Sequence, residues 1–205
     1  MKDRRFWILL AAILLVSAAF LLLDFRLAAG SIQSVQRIMV TELEGNHPQR
    51  PGPDDKISMV VDGKGPLAGT LKKALAKEVE NAGLGQVTWE QELRPQYPNP
   101  VLVVNVGQPA PLWTPFLATS RFSVQAGYAI NGDITFLDNL DKTQPYIRSS
   151  DPSAVNLYTA YELSDRSLGL ISRPGYDQYL ADYLAREIVQ ALKNLYNIQD
   201  LNGGY

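Results

Sequence analysis

The chain contains no cysteine and a single histidine, His47. Without cysteine there is no disulfide, no thiolate nucleophile and no thiol to carry a lipid. With one histidine, set in a proline-rich stretch, Ser-His-Asp relays and His/Cys zinc sites drop out as readings. His47 has no ligand or base near it in sequence and reads as inert. An excess of one charge is also missing: 19 Lys and Arg stand against 21 Asp and Glu, for a net charge of −2. No basic face builds up, so nucleic acid is not expected as a partner. No Asn-x-Ser/Thr sequon occurs, which leans toward a bacterial rather than a eukaryotic secretory origin.

The usual ligand motifs are absent as well. Gly63-Lys64-Gly65 precedes a helix but lacks the spacing of a phosphate loop, and Pro66 removes one of the N–H groups that would hold an anion. Asp54-Asp55 and the scatter of Asp133, Asp138 and Asp141 lack calcium-loop spacing and read as solvated turns. Neither a cofactor nor a metal is expected, and no residue is singled out as catalytic. Two carboxylates that meet only in the fold are the one enzymatic route left open. Glu90 and Glu92, on one face of a strand, read more simply as its wet side.

What the chain does have is an uncharged run from Phe6 to Leu23 in which Ser17 is the one polar side chain. As a helix of about 1.5 Å per residue it spans roughly 27 Å, close to the hydrocarbon thickness of a bilayer. Lys2, Arg4 and Arg5 precede it and Arg26 follows it, a bias that keeps the N-terminus in the cytoplasm and exports the rest. A cleaved signal peptide is the competing reading, with small residues at Leu27-Ala28-Ala29-Gly30. The long apolar run and the interrupting Asp24 and Arg26 favour a retained anchor.

These signals predict five segments: a cytoplasmic stub over 1–5, a transmembrane anchor over 6–23, a neck and spacer over 24–55, an extracytoplasmic domain over 56–198 and a flexible tail over 199–205. In the neck, Ile32, Val35, Met39 and Leu43 fall at helical spacing. From Gly45 to Asp55, three prolines and two glycines predict a semi-extended spacer.

Within the domain, Lys56–Asp62 reads as a strand, and Leu67, Leu71, Leu75 and Val79 mark an amphipathic helix from Pro66 to Gly83. Gln86–Glu92 is a short strand and Val101–Val106 a central one, apolar on both faces. Alternation over Thr119–Ile130, followed by Asn131-Gly132, predicts a hairpin with a type I′ turn and a returning strand at Asp133–Leu137. A second hairpin is expected from 156–163 and 167–171, turning at Ser164-Asp165-Arg166. Tyr176, Leu180, Leu184, Ile188, Ala191 and Leu195 line a last helix. The order predicts an α+β fold: a mixed or mostly antiparallel sheet with two helices packed on one face.

The run from Ala160 to Ile171, AYELSDRSLGLI, followed by a long C-terminal helix, resembles small cell-envelope lipoproteins of the LptE type. The likeness covers about 57–196 as an order of elements and one loose motif. Those lipoproteins anchor through a lipidated N-terminal Cys, which this chain lacks, so a transmembrane helix would replace the lipid. The resemblance implies a binding or assembly role in the envelope and transfers no functional residue.

The expectation is therefore a single-pass plasma-membrane protein, held by lipid through Phe6–Leu23, whose exported domain binds an envelope protein partner without catalysis. The alternative is an envelope hydrolase working through carboxylates. The candidate partner-binding residues are Leu112, Trp113 and Phe116, in the proline-stiffened loop after the central strand, because large aromatics on a stiff loop suit an interface.

Overall fold

The computed structural model describes residues 2–41, 51–108, 111–138, 140, 143–144, 146–147 and 155–202, with side chains described between 6 and 196. His47 and Arg50, and most of the expected spacer, lie outside the described residues.

The apolar run forms α1 (Lys2–Leu22). Among the described residues no helix is long and apolar enough to cross a membrane. The described side chains of α1 begin at Phe6.

The stretch expected to be a helical neck is instead a strand, β1 (Arg26–Val40). It pairs antiparallel along its whole length with the strand that runs from Asn156 to Ile171, from Arg26↔Ile171 to Val40↔Leu157. Two patterns compete in this segment. The helical spacing of Ile32, Val35 and Met39 is real, but so is an alternation in which Ala28, Ile32 and Val40 pack on the core while the odd positions from Leu27 to Arg37 stay exposed. Gly30 weakens a helix here, and a long cross-strand partner settles the choice. The folded sheet therefore begins at Arg26 rather than Lys56.

β2 (Lys56–Asp62) and α2 (Pro66–Asn81) match the expectation, with Pro66 in the first turn. Ala82 caps the helix, and Gly83, at φ +63°, takes the left-handed position that follows a helix end. Leu67, Leu71, Leu75 and Val79 form its buried stripe. β3 (Gln86–Trp89) and β4 (Val101–Val106) both lie parallel to β2. Before β2, Pro51 is buried, and the Gly52 N–H donates to the Asp55 carboxylate at 2.7 Å. The end of the expected spacer is thus a turn docked on the domain.

β5 (Leu112–Trp113), β6 (Leu117–Ala129) and β7 (Asn156–Ile171) complete a seven-stranded mixed sheet in the order β1-β7-β6-β4-β2-β3, with β5 also on β6. Neither expected hairpin forms. After β6, Gly132 has φ +76° but Asn131 does not have positive φ, so the turn is not type I′. The Asn131 side chain instead accepts from the Asp133 N–H at 3.1 Å, and the chain goes on into a 3-10 turn at Thr135–Leu137 rather than a strand. At the second site Ser164-Asp165-Arg166 is mid-strand. β7 runs through it without a break because Tyr161, Leu163, Asp165 and Ser167 keep one buried phase.

α3 (Arg173–Asn202) lies beside α2 on one face of the sheet, so the fold is α+β with both helices on one side. It takes in residues 199–202 of the expected tail, while 203–205 lie outside the described residues. The main core joins Leu71, Leu75, Leu180, Leu184 and Ile188 to Met59, Leu102, Val104, Val124 and Tyr161 of the sheet. On the other face, loops cover β2 and β4 through Tyr97 and Ile134, and Ile147 covers Met39 and Tyr158. The rest of that face, across β1, β7 and the start of β6, is open.

Candidate functional site

The three residues singled out in the loop part company in the structure. β5 and β6 form a small hairpin, with Leu112 opposite Thr119 and Trp113 opposite Ala118. Its turn is closed by Thr114: its N–H donates to the Leu117 carbonyl at 2.8 Å, and its Oγ1 accepts from the Leu117 N–H at 3.0 Å. Strand alternation sends Trp113 to the helix-covered side, where it packs against the main core with its indole nitrogen buried and unbonded. Leu112 and Phe116 face outward, 60% and 65% exposed. Trp113 is therefore a packing residue, and the outward pair is Leu112 and Phe116.

Two hydrogen bonds tie the hairpin tip to β7. The Gly169 N–H donates to the Phe116 carbonyl and the Ile171 N–H to the Pro115 carbonyl, each at 3.0 Å. Gly169 and Ile171 pair in turn with Ala28 and Arg26, just beyond α1. The register thus brings the loop beside the exit of the apolar helix, which sequence spacing did not indicate.

Directly paired residues share a face, so the open side can be read in rows away from α1. Leu27 pairs with Leu170, and Ala29 with Leu168 and so with Leu117. The third row is Ser31, Arg166 and Thr119, with Leu112 beyond, and the fourth is Gln33, Ser164 and Arg121. Glu162 appears only in the fifth, with Val35 and Ser123. Leu27, Leu168 and Leu170 are exposed.

Under α3, on the covered side, lies a buried polar cluster. Asp165 accepts from Ser167 Oγ at 3.0 Å, stands opposite Ser120 of β6, and faces the Tyr176 hydroxyl and Arg26. Burial pushes the Asp165 carboxyl up, against the opposing pull of Tyr176, Ser167 and Arg26. Burial and the Asp165 charge raise the Tyr176 hydroxyl as well. The Arg26 guanidinium is itself stacked over the Tyr179 ring at 3.6 Å. Nearby, Asp177 is raised by burial while its ion pair with Arg173, at 3.3 Å, pulls it back. Further along the sheet, burial pushes Tyr161 up to about 12, against the stabilising donor Gln36 at 2.9 Å. Asp165, beneath α3, and Asp177, on α3 itself, are both buried.

Other acids have structural roles. Asp133 accepts from both the N–H and the hydroxyl of Thr135, at 2.9 and 2.7 Å, and so opens the 3-10 turn. Glu90 and Glu92 fall beyond the end of β3 rather than along one strand face, and Glu90 receives a long contact from Ser58 at 3.5 Å. Two open clefts flank α2. One, against α3, mixes Glu78 and Glu187 with Arg186 and Lys193. The other holds Lys72, Lys73 and Lys77 beside Trp89, with the Lys72 ammonium 4.5 Å above the ring.

No family model matches the chain, and no curated protein matches it. Among solved structures it is similar to the PelC dodecamer from Paraburkholderia phytofirmans, at TM-score 0.37 and 13% identity over 80% of this chain and 97% of that one. A point variant of the same dodecamer gives TM-score 0.34 and 14% identity over the same shares. Similarity at this level carries no argument about function.

Proposed function

We propose that the chain is a single-pass membrane-anchored module of the cell envelope, N-terminus in the cytoplasm and folded part outside, with a binding or assembly role rather than a catalytic one. The observation that carries this reading is the bare surface of α1. Phe6, Trp7, Ile8, Leu9, Leu14, Leu15, Val16 and Leu22 are each more than half exposed. A helix apolar on every side that packs almost nothing is costly in water and at home in lipid. Taken with Leu23 and the sequence before it, the run has the length of a span. The positive-inside bias sets the orientation.

Non-catalytic binding is favoured over hydrolysis by where the acids lie. Asp165 is buried beneath α3 and Asp177 is buried on α3 itself, and the clefts beside α2 are open and of mixed charge. A hydrolase would need two carboxylates across a substrate-sized gap.

The test uses the full chain in a bacterial envelope, with a reporter after Tyr205. The wild type should resist alkaline extraction from membranes, and its reporter should work only outside the cytoplasm. Leu14→Arg combined with Leu15→Arg should release the protein or block its export. A wild-type chain stripped by alkali, or a reporter active in the cytoplasm, would overturn the reading.

A further inference from the structure

We infer that the corner formed by Leu27, Leu168, Leu170 and Leu112 of the open face, with Phe116 exposed at the adjoining hairpin tip, rests on the same bilayer that holds α1, with Arg166 and Arg121 meeting anionic headgroups. This rests on the membrane-anchor reading above and adds how the domain sits on the membrane.

The first argument is the tether. Leu23 to Phe25 are all that separate α1 from β1, and Phe25 is fixed. Its N–H donates to Ser172 Oγ at 2.9 Å, and its carbonyl accepts from both the Ser172 hydroxyl and the Ser172 N–H, at 2.9 and 3.0 Å. A helix that leaves lipid at Leu22 therefore delivers Leu27 to the interface with no slack to lift the domain away. Leu27 is 75% exposed at this point. Water is a poor environment for such a side chain, whereas the acyl boundary is a favourable one.

The second argument is the order of the rows. Successive residues on one strand face are about 7 Å apart. The two rows nearest α1 are apolar, the next two carry Arg166 and Arg121, and the first acid, Glu162, comes after them. Apolar, then basic, then mixed is the sequence of environments met on leaving an anionic bilayer, since a cation near the surface gains from the lipid charge and an acid loses. Phe116 is exposed at the hairpin tip, whose carbonyls bond Gly169 and Ile171 next to this band, and aromatic rings favour the interface. Asp24, exposed in the link, is the acid closest to the helix end.

The absence of cysteine makes the test direct. Single thiols are introduced in the full chain at Leu168→Cys, Phe116→Cys, Ser123→Cys and Ala12→Cys. Each is labelled with an environment-sensitive fluorophore, and the protein is reconstituted in phosphatidylcholine–phosphatidylglycerol bilayers. The labels at 168 and 116 should emit to the blue of the label at 123, be quenched by nitroxides on shallow lipid positions, and lose most of their quenching by aqueous iodide. The label at 123 should behave as in water, and the label at 12 as in deep lipid. Iodide quenching at 168 and 116 equal to that at 123, with 12 still in lipid, overturns the contact and leaves the anchor standing. Shielding of 168 and 116 from both quenchers means that protein covers the corner, and also overturns it. Iodide access at 12 removes the anchor itself and the contact with it.

Discussion

The Ser172 hydroxyl holds Phe25 from both sides, accepting from its N–H and donating to its carbonyl, each at 2.9 Å. The same oxygen accepts from the Gly175 N–H at 3.0 Å and so caps α3. One buried serine thus joins the exit of α1 to the start of the C-terminal helix and uses its donor and both lone pairs to do so. Ser172→Ala removes the cap and leaves the Phe25 and Gly175 N–H groups unmet. A loss of about 1–3 kcal/mol is expected, read as a lower melting temperature of the full chain in detergent. An unchanged melting temperature would show that the junction is not held by this side chain.

Trp113 and Phe116 make opposite predictions although they share a loop. Trp113 packs on the core, so Trp113→Ala should destabilise by roughly 3 kcal/mol or more. Phe116 is 65% exposed, and Phe116→Ala should leave stability within about 0.5 kcal/mol. Paired thermal melts decide this, and equal losses would show that both rings are buried.

The contrast between these rings shows how far the sequence could be read. β2, α2 and β4 follow from local pattern because their signals are self-sufficient: β4 is buried over Val101–Val104, and α2 carries Pro66 at one end and Gly83 after the other. β1 and β7 could not be read in the same way. The strand identity of β1 depends on a partner far away in sequence, and Asp165 looks like a turn residue until its phase with Leu163 and Ser167 is seen. For the candidate site, residue type was enough to mark Leu112, Trp113 and Phe116. Which of them face outward, and that they lie beside α1, is a matter of register, and register here is set by pairing rather than by any local motif.

Gly132 tests the turn that replaced the expected hairpin. At φ +76°, with a Cβ built there 2.2 Å from the Tyr97 carbonyl oxygen and 2.8 Å from that of Asn99, no side chain fits without moving the 95–100 loop. Gly132→Val should cost about 3 kcal/mol, backbone strain and steric clash together. Denaturant unfolding measures it, and a loss under about 1 kcal/mol would mean that the loop yields easily.

The buried acids Asp165 and Asp177 give the stability a distinctive pH dependence. Asp165 and Asp177 both have carboxyls raised above the ordinary value of 3.8, in each case chiefly by burial. A raised carboxyl binds its proton more tightly in the folded state than in the unfolded one. Its contribution is fully present below 3.8 and is lost as pH rises through the folded value, because stability falls with pH wherever the folded state holds more protons. These two groups should therefore favour the fold on mild acidification from neutral pH, opposite to an ordinary ion-paired aspartate. Asp165→Asn keeps the shape, cannot ionise, and offers Tyr176 and Ser167 a neutral partner. The variant should gain on the wild type at neutral pH, and that advantage should shrink as the pH approaches 3.8. Melting temperatures of the two full-length chains, compared at each pH so that the remaining carboxylates cancel, give the answer. If the advantage instead grows on acidification, Asp165 is stabilised as the anion by Arg26 and Ser167, and burial is not what governs it.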